Sequence, residues 1–389
     1  MKFVVTGAAG HVSKPLTELL LKKGHDVTVV GRSPKNLEGL VKLGAKTAIG
    51  DMGDVPFLTE TFKGADGVYL MLPPMWDSDD QKKQSIRYAE NFSSAIRANG
   101  VKNAVFLSSY GAHRLDDAGA ISGMGLAEVV LNKLYGVNVL SLRAGYFYSN
   151  LLLSLDLVKT AGHMGNMFVI PDGTFTMVDP DDIARVAAEA LDKLNFKGHV
   201  YVISDLSGTD EIASLIGKEI GIPDLKWVKL PAEDFKKVLL NYGFADGAAN
   251  DYVEMFATLD TGLLFEDIQK TKPKIEGTSI EEFAKTWAAA YRLDRAGVPE
   301  AQASPSGGSR SRGEREGWRA ADRGDRQVGR TARGVLRLPE DDQAADACRE
   351  RQQGPYHLHG QLFHLAAEYP ERAAHPLPRL HSRGAVPVS

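Results

Sequence analysis

VVTGAAGHVSKPL, Val4 to Leu16, decides how the rest of the chain is read. A short β-branched run ends at Thr6-Gly7, two alanines follow, and Gly10-His11-Val12-Ser13 leads into a helical stripe of Leu16, Leu19 and Leu20. A strand that stops at one glycine, with a helix starting just past the next, brings backbone N–H groups together at a helix N-terminus. There the helix dipole and the free donors favour an anion. Gly7 lets the chain turn sharply, and Gly10, lacking a Cβ, lets a pyrophosphate approach. Ser13 stands where a third glycine would pack helix on strand. The competing reading is a tight turn with no ligand, so the surroundings must decide.

Short apolar runs alternate with helical patterns on both sides of this loop. Strands are predicted at KFVVTG (2–7), DVTVVGR (26–32), KTAIGD (46–51), GVYLML (67–72), NAVFLSS (103–109) and NVLSLRA (138–144). Helices are predicted at 12–23, 34–43, 55–62 and 81–99, and the helix after the fifth strand reads SGMGLAEVVLNKLYG (122–136). Apolar strands separated by helices pair in parallel and are covered on both faces, which makes an α/β, doubly wound sheet. Residues 1–150 form that nucleotide-binding unit. Residues 151–295 form a smaller substrate lobe interleaved with it, with a strand at HVYVISD (199–205) and helices near 209–220, 231–242 and 280–290.

In this setting the loop reads as a dinucleotide cradle, with Thr6, Gly7, Gly10, His11 and Val12 as contacts. The end of the second strand selects the cofactor. An acidic residue there would bond the 2′-hydroxyl of NAD, but the chain has Gly31-Arg32-Ser33-Pro34-Lys35. Arg32 offers a planar fork to a 2′-phosphate and Lys35 a second cation, so NADP(H) is the expected ligand and NAD(H) the alternative. Asp51 and Met52 flank the adenine position, with a loop or capping aspartate as the competing reading. Leu72, Pro73 and Ser108 border the nicotinamide side.

Composition bounds the rest. A chain of 389 residues with 43% hydrophobic and 25% charged residues has the make-up of a globular protein. A net charge of −4 and an acidic body give no basic face for nucleic acid. The single cysteine, Cys348, allows no intramolecular disulfide, and no signal peptide or membrane span is read, so the expected location is the cytoplasm. Composition breaks near 295: 24 Lys and 8 Arg precede that point, and 14 Arg with no Lys follow it. The stretch 296–389 is expected to be disordered or an out-of-frame extension. Its HLHGQLFH patch (His357, His359, His364) has loose metal-like spacing but no completing ligand, so no metal is expected.

VTGAAGHVSKPL, GRSP, GDMGD, VFLSSYGAH, the helix bearing Glu128, LRAGYFYSNL, MVDPDDIARVAAEAL and TSIEEFAKTW together resemble the NmrA-like, atypical branch of the short-chain dehydrogenase/reductases, over residues 1–292. In layout the chain is similar to quinone-reductase and triphenylmethane-dye-reductase members. The resemblance implies a Rossmann domain with a C-terminal substrate lobe, NADP(H) as ligand, and either a reductase or a redox-sensing role. Typical dehydrogenases of the superfamily carry Tyr-x-x-x-Lys on the helix after the fifth strand. Here that helix opens with Gly123, Met124 and Gly125, and Lys133 and Tyr135 fall near its end in the wrong order.

Hydride transfer to a quinone-like or other conjugated electrophile needs less of the protein, because the acceptor spreads the developing charge. Candidate proton donors follow the fifth strand: Ser109, Tyr110 and His113. After the sixth, Tyr146, Phe147 and Asn150 wall the mouth of the cleft for a planar substrate, with core packing as the competing reading. Glu128 is expected to anchor its helix and Asp182 to cap the next one. The expected protein is an NADPH-dependent reductase of a small electrophile, a monomer or homodimer. The alternative is a non-catalytic NADP(H)-binding regulator, and an epimerase would want the absent Tyr/Lys pair.

Overall fold

The computed structural model describes residues 1–296 of the chain. The expectations for the segment beyond, its histidine patch included, lie outside the described residues. The first half runs β1 (Lys2–Val5), α1 (Ser13–Lys22), β2 (Asp26–Gly31), α2 (Glu38–Lys42), β3 (Lys46–Ile49), α3 (Val55–Thr61), β4 (Gly67–Leu70), α4 (Gln81–Asn99), β5 (Asn103–Ser109), α5 (Ala120–Leu131) and β6 (Asn138–Ala144). The second half continues with β7 (Tyr146–Phe147), α6 (Leu155–Ala161), β8 (Met164–Asn166), β9 (Phe175–Val178), α7 (Pro180–Lys193), β10 (Gly198–Val202), β11 (Asp205–Ser207), α8 (Thr209–Ile220), β12 (Trp227–Lys229), α9 (Ala232–Asn241), α10 (Asp246–Asp260), α11 (Glu266–Thr271) and α12 (Ile280–Ala296).

Seven strands form one sheet in the order β10-β6-β5-β4-β1-β2-β3, and every neighbouring pair is parallel. Alternation along each strand sends side chains to opposite faces. Phe3, Val5 and Val29 pack with Leu16 and Leu20 of α1 and Ala187 and Leu191 of α7. Val4, Val30, Leu70, Ala104 and Phe106 pack on the other face with Leu58 and Phe62, Phe92 and Ile96 of α4, and Leu131 of α5. Both faces are covered over the central strands, which is why those strands read as continuous apolar runs, while the edge strands β3 and β10 are largely exposed. The doubly wound Rossmann-type sheet is as the sequence pattern predicts.

Local differences have local causes. The predicted helix over 34–43 is a 3₁₀ turn, Lys35–Leu37, followed by the five-residue α2. The strand predicted inside the substrate lobe at 199–205 divides: β10 joins the main sheet beside β6, and β11 belongs to the lobe. Its apolar period shows that it is a strand but not which edge it joins, because edge choice is a tertiary matter. Asp182 does not cap α7. Asp179 does, accepting from the Asp181 N–H at 2.8 Å, while Asp182 sits one turn in, 3% exposed. There its carboxylate accepts from the Ser204 hydroxyl (2.5 Å) and the Thr278 N–H (2.8 Å). It ties the approach to α12 onto α7.

The lobe is built from two small sheets, β11-β9-β7 and β12-β8, around an aromatic core. Tyr146, Phe168, Phe175, Trp227 and Phe256 are buried together. Burial of an indole requires an acceptor for its N–H. Trp227 donates to the Phe168 carbonyl at 2.8 Å and Trp287 to the Leu151 carbonyl at 2.9 Å.

Candidate functional site

Strand order reverses between β1 and β4, since β2 and β3 lie to one side and β5 and β6 to the other. A crevice opens at the carboxyl ends of the strands at such a switch point. The glycine loop of Val4–Leu16 lies on it. Thr6 fastens the loop: its hydroxyl donates to the Tyr69 carbonyl (3.1 Å) and accepts from the Met71 N–H (3.0 Å). The Ala8 N–H reaches the Val30 carbonyl at 3.1 Å. Gly7 has φ +62°, and a Cβ there would stand 2.5 Å from Met71 Sδ. A Cβ on Gly10 would meet only the Gly7 carbonyl, at 3.1 Å, so a ligand can approach that backbone.

The start of α1 is arranged for an anion. Val12 is its N-cap, with no side-chain capping bond and no acidic residue in the first turn. Ser13 is buried and donates to the Thr6 carbonyl at 3.0 Å, which packs the helix against β1 in the place of a third glycine. His11 is exposed beside it.

The other predicted nucleotide contacts ring the same crevice. Arg32 and Lys35, just past β2, are exposed and make no ion pair among the described residues. Asp51, past β3, accepts the Gly53 N–H at 2.6 Å, and Asn91 of α4 holds the carbonyls of Met52 and Gly53. Leu72, past β4, is buried and Pro73 half-buried. The loop that follows is held by Gln81, whose amide donates to the Met75 carbonyl at 3.0 Å.

At the end of β5 the structure separates the candidates. Ser108 points to α5, and its hydroxyl donates to Glu128 at 2.5 Å. Tyr110 is 4% exposed and lies flat on Phe265, ring centroids 5.8 Å apart and 4° from parallel. Burial pushes its phenol far above the ordinary value, so the proton is held tightly. Ser109 is half-buried on the opposite face of β5 from Ser108. Both ring nitrogens of His113 are shielded from solvent without a hydrogen-bond partner among the described residues. Burial holds its pKa below 6.5; Asp267 and Glu266 oppose that shift, while Arg143 and Arg114 add to it.

Beside these candidates lies a buried charge network. Arg143 of β6 grips Glu128 of α5 with two bonds, 3.1 and 2.7 Å, and its remaining nitrogen reaches Tyr201 of β10 (3.2 Å) and Asp267 of α11 (3.3 Å). Tyr201 donates to Asp267, holding that carboxyl below its usual range, while burial pushes the Tyr201 phenol up to about 12. Glu128 therefore anchors its helix as expected. Arg143 lies 15 residues from Glu128, and Asp267 a further 124 residues from Arg143, beyond any sequence motif. The first turns of α5 leave little space: a Cβ on Gly123 would stand 2.5 Å from Ser85 Oγ, and one on Gly125 2.1 Å from the Ala112 carbonyl.

Of the residues predicted to meet substrate, Tyr146 and Asn150 line one cavity of about 70 Å³. Phe147 turns instead toward the sheet core. Trp227, Leu230 and Phe235 stand among the other residues of its wall. The apolar periods of β12 and α9 hint at burial there, but nothing in them indicates a wall shared with Tyr146.

A helix N-terminus and two exposed cations that make no ion pair among the described residues suit a ligand that carries phosphates. The model of the NmrA-like family matches residues 1–291. A curated relative from Streptomyces griseus, a (4-alkanoyl-5-oxo-2,5-dihydrofuran-3-yl)methyl phosphate reductase, is 25% identical over 228 residues, 57% of this chain and 76% of its own length. An NADPH-dependent quinone oxidoreductase from Escherichia coli, solved with NADPH, superposes with a TM-score of 0.60 at 22% identity, over 73% of this chain and 99% of its own. A Citrobacter triphenylmethane reductase, solved with NADP(H), gives 0.59 at 19% identity over 73% of this chain and 99% of its own. At such identities the two structures speak to the fold.

Proposed function

Because this chain belongs to the NmrA-like family, we propose that it is an NADPH-dependent reductase of quinone-like or other conjugated electrophilic small molecules. The observation that carries this reading is an uncapped α1 N-terminus at the carboxyl edge of the sheet together with Arg32 and Lys35, which make no ion pair among the described residues. Gly7, Gly10, His11 and Val12 take the pyrophosphate by backbone contact, and Thr6 keeps their loop in place. Arg32 and Lys35 take the 2′-phosphate. Asp51 and Met52 flank the adenine, and Leu72, Pro73 and the backbone at Ser108 border the nicotinamide. The bound dinucleotide supplies a hydride.

The chain's own residues do the positioning. Tyr146 and Asn150 orient the acceptor. Ser109 and His113 are the proton sources, whereas Tyr110 serves as a packed wall under Phe265, since its buried phenol gives up no proton near neutrality. No Tyr-x-x-x-Lys pair is needed for a delocalised acceptor, and larger side chains at Gly123 and Gly125 in the first turns of α5 would meet Ser85 and the Ala112 carbonyl. The Streptomyces relative supports the choice of acceptor, because its named substrate is a ring alkene conjugated to carbonyls.

That close packing of α5 also favours a second reading, an NADP(H)-binding regulator without turnover. NADPH consumption by the full-length protein across quinones, dyes and enones tests both. Acceptor-dependent oxidation, faster with NADPH than with NADH, supports the reductase; tight NADPH binding with no turnover rejects it in favour of the regulator.

A further inference from the structure

A second cavity, of about 380 Å³, lies in the lobe against β11, on the opposite edge of the three-stranded sheet from β7 and its smaller cavity. Its size falls in the ~300–1,000 Å³ range of small-molecule sites. Leu206, Phe265, Ile268 and Ile275 give it an apolar wall, with Phe265 and Ile268 themselves buried. Thr174, Gln269 and Lys272 supply the polar edge, and no acidic residue among the described residues lines it.

Lys272 combines two features at the mouth of this cavity. It follows α11 with φ 45°, and Leu194 is the only other non-glycine with positive φ among the described residues. A side chain there costs roughly 1–2 kcal/mol that glycine would avoid, although the backbone N–H still closes the helix on the Ile268 carbonyl at 2.8 Å. Its ammonium also makes no ion pair among the described residues, whereas Lys274, two residues on, is paired with Glu276. A non-glycine residue held in a costly conformation points to a role for its side chain. That side chain stands at the edge of an apolar cavity.

We propose that this cavity binds an amphipathic monoanion, with a medium-chain aliphatic carboxylate as the chemical class. The chain lies along Leu206, Phe265, Ile268 and Ile275, and the carboxylate meets Lys272 with the Gln269 amide beside it. One cation with no second basic group suits one negative charge better than a phosphate. Largely aliphatic walls suit a flexible chain better than a planar ring. The site is separate from the nucleotide crevice and does not depend on the reductase reading.

Calorimetric titration of the full-length protein with decanoate, 1-decanol and decylamine tests it. The expected result is one decanoate per chain, bound roughly fivefold more tightly than decanol, with decylamine weakest and with saturating NADPH leaving the decanoate affinity unchanged. Lys272→Met should bring decanoate down to the decanol value. Ile275→Asp, at an exposed position, should weaken both. No decanoate binding overturns the proposal, as does an undiminished preference in Lys272→Met. Competition by NADPH, or loss of binding on Leu230→Trp at the other cavity, assigns the ligand to the β7 side and also overturns it.

Discussion

Glu128 and Arg143 form a two-point ion pair with both side chains more than nine-tenths buried, and this pair joins α5 to β6 while Ser108 of β5 donates to the same carboxylate. Breaking one side of a buried pair leaves an uncompensated charge, which costs about 3–5 kcal/mol. Arg143→Leu should therefore lower the urea midpoint strongly. The double variant Glu128→Met/Arg143→Leu should recover most of that loss, because no fully buried charge is left unpaired and the partly exposed Asp267 keeps its bond from Tyr201. Equal midpoints for the single and double variants would contradict the assignment.

Gly10 is expected to matter for binding and not for folding. The space above it is limited only by the Gly7 carbonyl, so Gly10→Leu should keep its thermal midpoint within a few degrees while losing at least about tenfold in NADPH affinity by fluorescence titration. Gly7→Leu should fail differently: φ +62° and the Met71 side chain oppose it, so the protein itself should be destabilised.

Arg32→Glu should reverse cofactor choice. A charge-assisted bond to a phosphate is worth about 1.5–3 kcal/mol, so the ratio of kcat/KM for NADPH over NADH should fall by at least about tenfold. An unchanged ratio would remove Arg32 from the 2′-phosphate site.

His113 predicts a pH dependence with a definite sign. Burial depresses its pKa below 6.5 in the folded chain, so below that pH the unfolded chain binds more protons and stability is lost. The window runs from about 6.5 down through the lowered folded value. His113→Gln should flatten the fall in unfolding free energy between pH 7.5 and 5.5. It should also remove the rise in acceptor-dependent rate on acidification that an imidazolium donor brings. Neutral-pH NADPH affinity should be unaltered.

Tyr110→Phe is expected to be nearly silent in turnover, within about twofold, because the phenol is buried against Phe265 and holds its proton. A loss of a hundredfold or more would make Tyr110 the acid after all.

Much of the molecule was legible in one dimension because its signals are local. Strand and helix periods, the spacing of Gly7, Gly10 and Ser13 at a strand-to-helix turn, and the cations that follow β2 are each carried by a dozen residues or fewer. Those signals are enough to predict a doubly wound sheet with a nucleotide crevice at its carboxyl edge. What only the tertiary structure decided depends on residues far apart in sequence. Burial, not sequence neighbours, separates Tyr110, locked under Phe265, from His113. Arg143 was silent in sequence until folding set it between Glu128 and Asp267. Tyr146 and Asn150 share a cavity with Trp227 and Phe235, while Phe147, adjacent to Tyr146, turns away into the sheet. Side-chain alternation along one strand sends neighbours to opposite faces, and only packing determines what each face meets.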